Sequence, residues 1–108
     1  MGTPYVWGGT HPGGFDCSGL LYWAWGQVGV HIPRTSQAQW AAGMPVKGPL
    51  RIGDAVFFQG YTGGRGGPGH VGFYIGNGRF IEAQKSGTRV HISRLKGRRD
   101  YMGARRFA

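Results

Sequence analysis

Acyl-transfer chemistry in this 108-residue chain falls to a short list of side chains: one cysteine, four histidines and four carboxylates. The cysteine, Cys17, opens an apolar series in which Leu20, Leu21, Ala24, Trp25 and Val28 fall at the spacing of one helix face. Asp16 stands where an N-cap belongs and Gly29 marks the stop. A thiol in the first turn of a helix feels the unpaired N–H groups and the positive end of the dipole, which favour the thiolate, the nucleophilic form. Read as packing alone, the same residue is a small core side chain. A thiolate nucleophile also needs a base that later protonates a leaving amine, and that base needs an orienting group.

Among His11, His31, His70 and His91, only His70 lies in a candidate strand whose neighbour offers a carboxylate on the matching face. Gly69–Gly76 alternates Val71, Phe73 and Ile75 against His70, Gly72 and Tyr74, and Gly76-Asn77-Gly78 is a hairpin signal leading into a strand over Arg79–Gln84. Taken as a three-residue loop, this turn pairs Ile75 with Arg79, Gly72 with Glu82 and His70 with Gln84. His70 and Glu82 then become diagonal neighbours ~7–8 Å apart at Cα. Gly72 is expected to leave the space between them open. A two-residue loop without a bulge would turn Glu82 to the opposite face. Without that pairing, His70 is a surface histidine near a solvated glutamate.

The remaining elements frame this pair. Met1–Asp16 reads as a glycine- and proline-rich loop carrying Tyr5 and Trp7, and Thr35–Ala42 as a short second helix capped by Thr35 or Ser36. Pro45 and Pro49 mark a loop, and Asp54–Gln59, Arg89–Ser93 and Tyr101–Phe107 read as further strands. Tyr61–Gly69 reads as a mobile glycine-rich loop. One leading helix followed by strands in series predicts an α+β domain with an antiparallel sheet.

Composition limits the alternatives. At this length the chain is one domain, and 40% hydrophobic residues suffice for its core. A single cysteine excludes an internal disulfide framework. The longest apolar run, Leu20–Trp25, falls far short of the ~20 residues of a membrane span. No two histidines, and no histidine with Cys17, show close ligand spacing, so neither a metal nor another cofactor is expected. Thirteen Lys and Arg face four Asp and Glu, and nine of those cations lie between Arg79 and Arg106. Such a field favours an anionic partner: nucleic acid, acidic membrane, or an anionic polymer such as cell wall. A nucleic-acid-binding module is the rival class. Against it, the aromatics fall mostly at core positions, and Arg65-Gly66-Gly67 is not repeated.

Five blocks then occur in order: Pro4-Tyr5-Val6-Trp7-Gly8-Gly9, Gly14-Phe15-Asp16-Cys17-Ser18-Gly19-Leu20, Pro33-Arg34-Thr35-Ser36, Gly53-Asp54-Ala55-Val56-Phe57-Phe58 and His70-Val71-Gly72-Phe73-Tyr74-Ile75-Gly76-Asn77-Gly78. From about Gly2 to Phe107 the chain resembles an NlpC/p-sixty cysteine peptidase domain. The resemblance implies a minimal papain-like fold and cleavage of peptidoglycan stem peptides, typically between D-γ-glutamate and the following diamino acid. It implies Cys17 as nucleophile, His70 as base, and Tyr5 beside the Cys17 N–H at the oxyanion. Asp16 and Ser18 match positions that in some members bind the N-terminal end of the stem. Where the family most often has a second histidine, twelve residues after the first, this chain has Glu82, as in a subset including secreted actinobacterial wall hydrolases. Glu82 is expected to accept the His70 Nδ1–H. An acyl-transferring or inactive relative of the same fold is the second rival. The resemblance further implies a monomer acting outside the cell, at the wall or from a phage particle. Residues 1–108 are expected to be one domain of a longer protein, without the helix that usually precedes the tyrosine motif.

Overall fold

A computed structural model describes residues 10–11, 14–60, 67–83 and 90–107. A two-stranded ribbon, β1 (Thr10–His11) and β2 (Gly14–Phe15), leads into α1 (Cys17–Gly26), then α2 (Ser36–Ala42). The strands β3 (Met44–Pro45), β4 (Ala55–Phe58), β5 (His70–Gly76), β6 (Arg79–Glu82), β7 (His91–Arg94) and β8 (Tyr101–Arg106) form one antiparallel sheet. Its order is β3-β8-β4-β5-β6-β7. The α+β expectation holds, and the sheet is antiparallel throughout. The ribbon and β3 both fall in stretches whose composition reads as loop. β3 is an edge strand, where Pro45 costs no ladder hydrogen bond on its open side.

β4 sits inside the sheet with all four residues buried, because both faces are covered. Ala55 and Phe57 pack with Leu21, Ile32 and Val71 under α1. Val56 and Phe58 pack with Tyr74, Phe80 and Ala104 on the other face. Each fully buried Leu or Phe contributes about 1.5–3 kcal/mol relative to exposure. α1 is shorter than its apolar spacing suggests. It ends at Gly26 and unwinds through Gly29 at φ +81, where Val30 N–H donates to Trp25 O, leaving Val28 exposed.

The hairpin between β5 and β6 decides where Glu82 points, and it differs from the expected loop. Gly76, not Ile75, pairs with Arg79, leaving Asn77 and Gly78 as a two-residue turn with φ +53 and +73. A bulge between Tyr74 and Gly76 adds the residue that the shorter turn removes. The pairs Phe73–Ile81 and Tyr74–Phe80 therefore keep the register that faces Gly72 with Glu82. Gly72 leaves no empty space, however. A Cβ there would lie 2.5 Å from Cδ2 of Phe80, so the glycine exists to admit that ring. Gly72→Ala is expected to cost about 1–3 kcal/mol by overpacking and to displace Phe80 from Phe58, read as a lowered denaturation midpoint at unchanged m-value.

Candidate active site

Asp16 caps α1 by accepting the Gly19 N–H on Oδ1 at 2.7 Å, while Leu20 N–H gives the first helical bond to Asp16 O. Cys17 is thus the first residue of the helix, its own N–H ahead of the intrahelical ladder and available to a ligand. Its half-buried Sγ lies 4.0 Å from Gly69 O, at the start of β5.

The segment Pro33-Arg34-Thr35-Ser36 fixes both sides of this junction. Thr35 caps α2 through the Ala38 N–H. Ser36 Oγ and Gln37 Nε2 each donate to Pro68 O at 2.8 Å, so the residues leading into His70 are held rather than loose. The expected mobile loop over Tyr61–Gly69 is wrong for Gly67–Gly69, and 61–66 lie outside the described residues. Arg34 donates from Nη2 to Asp16 Oδ2 and from Nη1 to Ser18 Oγ, both at 2.8 Å. The second oxygen of the capping Asp16 is therefore taken by a guanidinium. Asp16 and Ser18 are buried within this cluster, and a third of the Arg34 side chain stays exposed.

His70 is 5% exposed, stacked against Phe58 with ring centroids 5.5 Å apart. Its Nε2 lies 2.7 Å from Glu82 Oε1, and the ring stands close enough to Cys17 for the sulfur to bear on its protonation. With Nε2 on Glu82, Nδ1 is the nitrogen left for the thiol, the reverse of the expected assignment. The reason is geometric: the carboxylate reaches across from the neighbouring strand β6 to Nε2. Burial disfavours the imidazolium, but the bonds to Cys17 and Glu82 and their negative charge outweigh it and raise the His70 pKa to about 9.

Glu82 is 1% exposed. Burial pushes its carboxyl up, yet His70, Ser93 and Arg98 prevail and hold it at about 2. Ser93 Oγ donates to Oε2, Arg98 Nη1 lies 3.3 Å from both oxygens, and His91 Nε2 lies 3.3 Å from Oε2. His91 stands directly across the ladder from Glu82. Arg98 is clamped in turn: its guanidinium carbon sits 4.3 Å from the Phe58 ring centroid, and Nε is 3.6 Å from Asp100. In the sequence Arg98 is only one of the nine cations between Arg79 and Arg106. The available signal was stoichiometric, since a carboxylate buried in so basic a chain will attract a guanidinium.

Arg98→Met is expected to raise the Glu82 pKa, because a neighbouring positive charge is lost. A lowered carboxyl pKa gives stability that is present above the unfolded value of about 4.5 and lost as pH falls through the folded value. The acid-unfolding midpoint of the variant should therefore lie at higher pH than wild type, with Arg98→Lys in between. A packing role alone would lower stability equally at all pH values.

Cys17, His70 and Glu82 thus converge as a thiol, an imidazole able to exchange a proton with it, and a carboxylate that holds imidazolium charge. Tyr5 lies outside the described residues. Among the described residues no group of three or more His, Cys, Asp or Glu is arranged to hold a metal ion, and no helix is long and apolar enough to cross a membrane.

The arrangement has the parts that thiol-based acyl transfer uses, on an α+β scaffold. Residues 2–106 match the model of the NlpC/P60 family, and the chain belongs to that family of cysteine peptidases. It is 53% identical over 103 residues to a probable endopeptidase of Corynebacterium glutamicum, covering 94% of this chain and 44% of that protein. It is 44% identical over 114 residues to the murein DD-endopeptidase MepH of Escherichia coli, covering 98% and 41%. The chain thus spans less than half the length of these curated relatives. An NlpC/P60 family protein of Bacillus cereus superposes with a TM-score of 0.89 at 38% identity, over 99% of this chain and 36% of that one. The NlpC/p60 domain of the peptidoglycan hydrolase SagA superposes with 0.82 at 34% identity, over 98% and 88%.

Proposed function

We propose that this domain is a peptidoglycan endopeptidase that cuts the stem peptide between D-γ-glutamate and the diamino acid after it. The observation that carries this reading is His70 held between Cys17 and the buried Glu82 carboxylate. The Cys17 thiolate attacks the scissile carbonyl, forming the C–S bond, and the oxyanion is received by the Cys17 N–H and, by family likeness, the Tyr5 hydroxyl. As the tetrahedral intermediate collapses, the C–N bond breaks and the His70 imidazolium gives its Nδ1 proton to the leaving amine. His70, now neutral, takes a proton from water, whose oxygen attacks the thioester and releases Cys17 as thiolate. Glu82 stabilises the imidazolium in both halves. Asp16 and Ser18, ordered by Arg34, meet the N-terminal end of the stem. The substrate puts the place of action at the bacterial wall, reached by a secreted hydrolase or a phage particle.

A second bond deserves a direct test, because the relative MepH is named a murein DD-endopeptidase. Defined muropeptides separate the two. Cleavage of an uncross-linked stem into a D-glutamate-ended fragment supports the proposed bond. Release of monomers from cross-linked dimers with intact stems would replace it with the D,D bond.

A further inference from the structure

At the turn end of β6 and β7, two arginines stand directly opposite each other: Arg79 pairs with Arg94, and both are exposed. Like charges at facing ladder positions are destabilising. Among the described residues no carboxylate forms an ion pair with either arginine. The chain's four acidic side chains are all engaged with other cationic partners: Asp16 with Arg34, Asp54 with Arg106, Glu82 with His70 and Arg98, and Asp100 with Arg98. Lys96 adds a third cation, and with Asn77 and Gly78 these residues line a depression of about 400 Å³. Its rim is fixed, since Leu95 N–H donates to Gly78 O and Gly78 N–H to Tyr74 Oη, each at 2.8 Å.

We infer that this depression is a binding site for the phosphodiester groups of an anionic wall polymer, separate from the hydrolytic centre three residues along β6. Paired guanidinium forks match the oxygens of a phosphate, which one ammonium does not. Among the described residues no aromatic side chain lines the depression, whereas single-stranded nucleic acid is held on an aromatic stacking platform. A flexible chain of phosphodiesters without bases, such as poly(glycerol phosphate), fits that chemistry. The choice of a wall polymer rests on the proposed function. Through this site the domain would be held on its insoluble substrate while cutting stems elsewhere.

The test measures binding of the purified domain to poly(glycerol phosphate) and to an oligothymidylate of equal charge, at several salt concentrations. The Arg79→Thr/Arg94→Thr pair should weaken polymer binding at least about tenfold and reduce the log–log salt slope by about 1.5, two phosphate contacts fewer. Lys47→Gln/Arg99→Gln, with the same net charge, should change it less than about twofold. Arg94→Thr alone should raise the melting temperature by about 1–5 °C without polymer, since the cross-strand repulsion is gone. Both pairs should cleave a soluble stem peptide at the wild-type rate. Equal weakening by the two pairs overturns the site in favour of a diffuse field, and equal or tighter oligothymidylate binding overturns the polymer assignment. If wild type cleaves no stem peptide yet the paired arginines still govern polymer binding, the anion site stands and the proposed hydrolysis falls.

Discussion

His70→Ala lowers kcat/KM on a stem peptide by about a thousandfold or more and slows alkylation of Cys17 at neutral pH. The magnitude combines two losses. Positioned acid–base catalysis alone contributes about 10²–10⁴. The imidazole also takes the thiol proton as the sulfur attacks, so the variant reacts more slowly with any electrophile. The substitution leaves a cavity beside Phe58, so circular dichroism and a melting curve belong beside the kinetics. An alkylation rate equal to wild type in a folded variant would mean that His70 does not serve Cys17.

Glu82→Gln tests the other half of the pair and has the second-largest expected effect. An amide can still meet Nε2, but it offers no charge against the imidazolium, and its N–H can enforce the wrong tautomer. Turnover should fall about 10²–10³-fold, within the range for loss of an orienting carboxylate. The pH dependence gives the sharper reading. The His70 pKa of about 9 stands above its ordinary 6.5, a difference corresponding to roughly 3 kcal/mol. A raised pKa contributes stability that is fully present below pH 6.5 and is lost as pH rises through about 9. The alkaline limbs of activity and of stability should therefore both lie near pH 9 in wild type, and both should move toward neutrality in Glu82→Gln. Unchanged limbs would reduce Glu82 to a strand residue.

The pairing of His70 with Glu82 was legible in the sequence because strand alternation has only two phases, and the carboxylate sits in the phase that faces the histidine. The turn that secures the phase was not. Gly76-Asn77-Gly78 allows a three-residue loop or a two-residue turn with a bulge, and both deliver the same register beyond them. Side-chain detail was legible least. Nothing in the spacing shows that Phe80 fills the space over Gly72, or that Glu82 meets Nε2 rather than Nδ1. Those outcomes depend on which groups approach from elements far along the chain. Arg98 comes from the turn after β7 and Ser36 from the start of α2, and each acts on a residue at least sixteen positions away. The short strands β1 to β3 escaped for another reason, since two-residue elements carry too few side chains to show a period.

Mass spectrometry of purified peptidoglycan shows whether Cys17 cuts its stems. Wild type and Cys17→Ala are incubated in parallel and the soluble fragments compared. New fragments ending at D-glutamate are expected with wild type and none with a folded Cys17→Ala. The same fragments from both proteins would contradict that role of Cys17, as would a folded, thiol-reactive wild type that releases none.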